Sequence, residues 1–182
     1  RLNSSGELKT SRPPTGNCIV TMEFAPELFS SGNARLFSIE LKENDIDISL
    51  LSECQRLAEA NIFCSIMQHY LKEISNCVNT DEKNFTDELK TGFLNYRSEF
   101  SRLLTDRQIV FHPRMPEILA ELKIGFVNLL TFLLNQNQIK PEKLCGYLKD
   151  FDEILLQLAA YNSELVLRED PTSMFCEKLK SL

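Results

Sequence analysis

The stretch "HPRMPEILAELKIGFVNLLTFLLNQ", residues 112–136, decides the fold of this chain. Its apolar residues lie on nearly all sides of a helix. Pro116 stands where that helix would begin, because a proline in the first turn loses no helical hydrogen bond. A helix without a broad polar face is stable only when neighbours cover it. The stretch therefore predicts a central helix with other helices packed around it.

Helical patterns lie on both sides of this stretch. Before it, apolar residues recur at spacings of three and four over about residues 47–78 and 84–105, and the polar connector "NCVNTDEKN", residues 76–84, lies between them. After it, Pro141 begins another pattern, and Asp170-Pro171 gives an N-cap and first turn to a short last helix. Because short connectors favour antiparallel neighbours, we predict a mainly α fold, an antiparallel bundle of about five helices.

The N-terminal region has a different pattern. The stretches "NCIVTMEF", residues 17–24, and "ARLFSIEL", residues 34–41, carry the β-branched and aromatic residues typical of buried strands. Strand signals stop near Asp45, so we expect a small β element in residues 1–45 and a helical domain in residues 46–182. The chain begins without methionine in this strand-rich region, and we therefore expect it to be a piece of a longer protein.

Composition excludes several classes of protein. With 43% hydrophobic and 25% charged residues the chain is typical of a soluble globular domain, and no apolar run reaches the roughly 20 residues that span a bilayer. The net charge of -6 rules out a generally basic surface, so any DNA contact is local, for example through Arg1, Lys9 and Arg12. The six cysteines form no CxxC pair. We expect buried free thiols in a reducing compartment, and hence a cytoplasmic protein.

Residues that carry chemistry are few. No GxxxxGK[ST] phosphate loop occurs, so this chain alone does not hold a triphosphate. Cys64 and His69 are five residues apart and do not share a helix face, so we expect no metal site. We expect His69 at the core or its rim and His112 beside a helix. No nucleophile and base are marked as a pair, which disfavours a free-standing enzyme.

Three residues have types that fit part of a nucleotide-hydrolysing site. In ring-forming nucleotide hydrolases a polar residue at a strand end contacts the γ-phosphate, and an arginine stabilises charge in a neighbour's site. Thr21 and Glu23 end the first predicted strand, and Arg35 opens the second. The alternative is a hairpin with an ordinary surface arginine, and spacing alone favours that alternative.

Several stretches resemble one family. The stretch "RLNSSGELKTSRPPTGNCIVTMEF" is similar to a region of the mobile-element helicase or primase-helicase proteins grouped as domain of unknown function 927, and "ARLFSIEL" resembles their next strand. The stretches "HPRMPEILAELKIGFVNLLTFLL" and "LAAYNSELVLREDPTSMFCEKLKSL" resemble a helix and the closing segment of that family. Two positions depart from the pattern, because Thr15 replaces an arginine and Met22 replaces the glycine of Thr-Gly-Glu.

The resemblance implies a function for the chain. It would be the C-terminal part of a ring-forming, ATP-dependent DNA helicase, with Thr21 and Glu23 as sensor residues and Arg35 as an arginine finger. ATP and magnesium are implied for the parent protein, whose phosphate loop lies upstream, and no cofactor for this part alone. The implied partners are the rest of the ATPase core, identical subunits of the ring and DNA, with no membrane. The alternative is a non-catalytic helical module that docks a replication protein onto its partner.

Overall fold

The computed structural model describes residues 18–23, 36–168 and 179. The fold over these residues is mainly helical, as predicted. Within them the chain forms four helices, which are α1 (Ile48–Glu59), α2 (Ile62–Asp106), α3 (Met115–Asn135) and α4 (Pro141–Arg168). The predicted fifth helix lies outside the described residues except for Leu179, which is helical.

The first predicted helix, residues 47–78, is divided in two. Asp47 begins α1 as its N-cap, because its carboxylate accepts the backbone N–H groups of Ser49 and Leu50. Asn61 then adopts a left-handed conformation with φ 59, which asparagine tolerates better than most residues. This turn separates α1 from α2, so the prediction of one continuous helix was wrong.

The predicted connector at residues 76–84 is part of α2. Only Asp81 departs from helical geometry, with φ -156 and ψ 83. Its carboxylate accepts the N–H of Asn84 at 2.9 Å, as an N-cap side chain does for the third helical residue. The polar stretch therefore kinks one long helix at Asp81 and does not form a loop.

Helices α2 and α3 pack antiparallel, and α3 lies between α2 and α4. Tyr70, near the start of α2, meets Phe132, near the end of α3, edge to face with ring centroids 5.4 Å apart. Arg97, near the other end of α2, pairs with Glu117 in the first turn of α3 at 3.1 Å. Because α3 also packs against α4, the sequence prediction of a central helix is confirmed, and Pro116 stands in its first turn.

Buried apolar side chains concentrate at one end of the bundle. Leu104, Leu119 and Ala159 are completely buried there. We call this cluster the bundle core, and it joins the end of α2, the start of α3 and the second half of α4 through Phe100, Leu104, Met115, Leu119, Leu155, Leu156 and Ala159.

Many apolar side chains at the other end of the helical region are exposed. We call this end, which consists of α1 and residues 62–78 of α2, the helical arm. The long helix α2 has 45 residues and α3 has 21. Because Tyr70 lies beside Phe132, near the end of α3, only about the first two turns of α2 extend past α3. The exposed apolar side chains of the arm are Ile48, Leu50, Leu51, Ile62, Phe63, Ile66, Met67, Leu71 and Val78.

The predicted strands at 17–24 and 34–41 are not confirmed. Residues 18–23 and 36–41 form no strand, and Asn17, Phe24, Ala34 and Arg35 lie outside the described residues. A strand needs a neighbour to pair with its backbone N–H and C=O groups. No such neighbour occurs within the part of the chain that the structure describes.

Candidate functional site

Of the three site residues predicted from the sequence, two lie in the part of the chain that the structure describes. Thr21 and Glu23 lie in the exposed segment 18–23. Arg35 lies outside the described residues. What the structure does describe is the segment that follows Arg35 directly, residues 36–42, which we call the docked segment.

The docked segment is attached to α4 by one asparagine. The backbone N–H of Ser38 donates to Oδ1 of Asn162 at 2.7 Å, and Nδ2 of Asn162 donates to the carbonyl oxygen of Ser38 at 2.9 Å. The same Nδ2 donates to the carbonyl oxygen of Leu158 at 2.8 Å. Asn162 is buried, so its amide oxygen and its amide nitrogen both need hydrogen-bond partners. Ser38 and Leu158 provide these partners.

Two side chains of the docked segment add further contacts. Phe37 packs against the bundle core. The hydroxyl of Tyr161 donates to Oε2 of Glu40 at 2.9 Å. The segment is therefore held at three positions. Phe37 makes an apolar contact, Ser38 binds the amide of Asn162, and Glu40 accepts from the hydroxyl of Tyr161.

The local sequence of α4 explains why Asn162 can reach a backbone. Ala159 and Ser163 are small and buried, so they let another chain segment approach the helix closely. The N–H and C=O of Ser38 both meet the one amide, which requires that they point to the same side, as in an extended strand. Asn162 was not among the residues predicted for a site, because its sequence signal is only a lone asparagine in an apolar part of the α4 pattern.

A second buried polar group lies between α3 and α4. The ammonium of Lys123 is buried, forms an ion pair with Asp152 and donates to the carbonyl oxygen of Leu148 at 3.3 Å. Beside it the rings of Phe126 and Phe151 stack with centroids 3.9 Å apart. A buried charge is tolerated only when it is paired and hydrogen-bonded, so this lysine serves packing and fixes how α3 and α4 align.

The arginines near the bundle core are paired. The guanidinium of Arg107 makes two hydrogen bonds to Glu153, which lowers the pKa of that carboxyl and raises the pKa of Arg107. Arg97 and Arg102 line an open depression at the end of α2, and each contacts a carboxylate at 3.1 Å. Neutralised cations in an open depression make a poor anion site.

The histidines and cysteines differ in part from the predictions. His112 lies just before α3, and its Nδ1 accepts the N–H of Arg114, as expected for a residue beside a helix. His69 is exposed and not part of the core. Among the described cysteines only Cys54 is partly buried, and the other four are exposed free thiols, so the prediction of buried thiols was wrong.

Metal clusters and membrane-spanning helices are absent from the described part of the chain. Among the residues that the structure describes, no group of three potential metal ligands converges. Within the same residues, no helix combines the length and apolar character that a membrane crossing requires. No family model, curated protein or solved structure matches the chain.

Proposed function

We propose that the chain is the C-terminal part of a ring-forming, ATP-dependent DNA helicase-like protein of a mobile element. Arg35 acts as an arginine finger in the site of the neighbouring subunit, and Thr21 and Glu23 sense the γ-phosphate. Residues 46–182 are the helical assembly domain. The observation that carries the proposal is the docked segment, which starts one residue after Arg35 and is held on the helical bundle.

The docked segment supports this proposal because an arginine finger acts only when it is held in place. A catalytic group stabilises the transition state best when it is held in position before the reaction, and a small displacement of that group lowers the rate strongly. Three residues of chain span at most about 10 Å, so an anchor at Ser38 limits where Arg35 can go. A helical domain that holds Ser38 therefore restricts the position of the finger.

The same proposal accounts for the strand-like sequences at 17–24 and 34–41. Asn162 occupies the backbone groups of Ser38 on one edge of the docked segment. In an extended chain the backbone groups of Phe37 and Ile39 point to the opposite edge. We propose that strands of the upstream ATPase core pair there, and that this core also binds ATP and magnesium.

The test of this proposal is the ATPase activity of the full-length parent protein carrying Arg35→Ala. Loss of an arginine finger lowers turnover by about a thousand-fold or more while nucleotide binding and ring assembly persist. Arg56→Ala is the matched control, because Arg56 is an exposed arginine on the helical arm and should leave turnover unchanged. Normal turnover of the Arg35→Ala protein would overturn the proposal.

A second candidate function, a non-catalytic interaction module, is favoured by the exposed apolar side chains of the helical arm. Phe63 and Met67 are the clearest examples, because both are large, apolar and about half exposed. In this alternative, replacing both residues by serine abolishes replication of the element in cells and leaves the ATPase activity of the purified parent unchanged. Normal replication with the doubly substituted protein would contradict it.

A further inference from the structure

We propose that the helical arm pairs with the arm of a second copy of this chain. The contact goes beyond the proposed function, because it involves α1 and the first two turns of α2 and does not depend on Arg35. It starts from a group of apolar side chains that are between 40% and 70% exposed, namely Ile48, Leu50, Leu51, Ile62, Phe63, Ile66 and Met67.

The short helix α1 lacks support from the rest of the chain. It has 12 residues and buries none of them. A helix of this length is marginal in water by itself, because most helical stability in proteins comes from the packing of an apolar face. Ile48 and Leu51 are three residues apart and therefore lie on one face of α1. A partner that covers this face stabilises the helix.

The first two turns of α2 present a similar face. Ile62, Phe63, Ile66 and Met67 recur at spacings of three and four, so they share one side of the helix, and each is about half exposed. They precede Tyr70, the residue that contacts the end of α3. The arm therefore offers apolar faces on both of its helices.

The exposed area is large enough for a stable dimer. The seven side chains present on the order of 700 Å² of apolar surface, whereas each partner of a standard protein–protein interface buries about 800 Å². The largest apolar patch on a typical monomer covers about 300–600 Å². The arm thus reaches the size of an interface without counting its polar side chains.

The charge pattern favours a second copy as the partner. Residues 60–71 contain no Asp, Glu, Lys or Arg. DNA and anionic membranes attract Lys and Arg, so neither fits this surface. Two copies with a net charge of -6 each repel one another and associate best through a surface without acidic side chains. An apolar centre depleted in charge is also typical of homodimer interfaces.

The complementary surface on the second copy is its own arm. The other exposed large apolar side chains of α2 to α4 are spread over three helices, and these are Leu94, Leu122, Leu129, Tyr147 and Ile154. An interface in which both copies use the same surface has two-fold symmetry, which is the commonest symmetry of homo-oligomers. The arm therefore pairs with the arm.

The first experiment is sedimentation velocity of the unmodified chain over a series of protein concentrations. We expect the mass to rise with concentration from that of the monomer to twice that value. This measurement needs no variant. A chain that stays monomeric at every concentration overturns the proposal, as is the case if another protein or a segment of the same chain covers the arm.

The second experiment places charge in the centre of the contact. The double variant Phe63→Glu, Met67→Glu should raise the Kd of the dimer by about 100-fold or more, because two carboxylates replace apolar contacts. Leu94→Glu is the matched control, since Leu94 is an exposed leucine of the same helix outside the arm, and its Kd should be unchanged. Circular dichroism checks that both variants stay helical. A dimer that the double variant does not weaken, or that both variants weaken equally, overturns the proposal.

A mixing experiment tests whether arm meets arm. Met67→Glu and Met67→Lys should each weaken the dimer alone, because like charges face one another. Mixing the two variants pairs opposite charges, and the Kd of the mixed dimer should be at least about ten-fold lower than that of either variant alone. No recovery on mixing means that the arm binds a different surface and overturns the proposal. All these results concern the arm alone, so their failure leaves the role of Arg35 standing, and normal turnover of Arg35→Ala leaves arm pairing standing.

Discussion

The two ends of α2 carry the same kind of apolar pattern and have different surroundings. Phe100 and Leu104, near its C-terminus, are covered by α3 and α4, whereas Phe63 and Met67, near its N-terminus, are about half exposed. Apolar residues at helical spacing therefore predict the helix at both ends but predict burial at only one. Burial depends on a neighbouring helix that covers the side chain, and α3 covers the arm only around Tyr70 and Glu73, near its own C-terminus.

The largest expected difference concerns one leucine in each region. Leu119 is 0% exposed in the bundle core and Leu71 is 57% exposed on the arm. Leu119→Ala should lower the free energy of unfolding by about 3 kcal/mol through lost burial and a cavity. Leu71→Ala should change it by less than about 0.5 kcal/mol. Urea unfolding measures both, and equal losses would contradict the contrast between the two regions.

The buried ion pair gives the next largest effect. Lys123→Ala leaves Asp152 with part of its charge unpaired, and we expect a loss of about 2 kcal/mol, less than for a fully buried pair because the Asp152 side chain is 31% exposed. Lys90→Ala is the control, since Lys90 pairs with Asp87 on the surface at 3.9 Å and should contribute less than about 0.5 kcal/mol. Thermal unfolding that ranks the two variants the other way would show that Lys123 does not help to hold α3 against α4.

The boundary between arm and bundle should depend on the kink. Asp81→Ala removes the carboxylate that accepts the N–H of Asn84 and should destabilise the helix around it by about 1 kcal/mol. Hydrogen exchange should become faster at residues 82–85 and stay unchanged around Leu119. Faster exchange throughout the bundle core would mean that arm and bundle unfold as one unit.

The smallest effect is a pH dependence that arises from the ion pair between Arg107 and Glu153. Arg107 holds the pKa of Glu153 below its ordinary value of 4.5, so the ionised pair stabilises the fold above that pH. As pH falls through the lowered pKa, the carboxylate is protonated and this stabilisation is lost. Glu153→Gln should therefore be less stable than the unmodified chain at neutral pH and equal to it in strong acid. If the Glu153→Gln protein were still less stable than the unmodified chain in strong acid, the loss of stability would come from altered packing and not from the ion pair.

Local rules predicted the helices well where a single residue fixes the backbone. Pro116 and Pro141 stand at the helix starts that proline favours, and the apolar stretch between them is the central helix. The left-handed turn at Asn61 was not predicted, because an asparagine in an amphipathic pattern gives no strong stop signal. The polar stretch around Asp81 was predicted to be a loop, but one capping side chain lets the helix continue.

Long-range features were the least predictable. Asn162 and Ser38 are far apart in sequence, and nothing in either local pattern indicates that they pair. Lys123 likewise resembles an exposed lysine until α4 supplies Asp152. The strands at 17–24 and 34–41 were expected from residue type alone, but strand formation depends on neighbours that local sequence does not provide. The roles of Thr21, Glu23 and Arg35 stay predictions.

The measurement that tests the central claim most directly is a mixing experiment with the full-length parent protein. Subunits with Arg35→Ala are combined with subunits in which the lysine of the proposed upstream phosphate loop is replaced, and the account predicts that each preparation is inactive alone. If Arg35 acts in the site of the neighbouring subunit, mixed rings contain sites with both groups intact, and ATPase activity returns on mixing. If the mixture stays inactive although mixed rings form, Arg35 does not act across subunits and the proposed role of the arginine finger is contradicted.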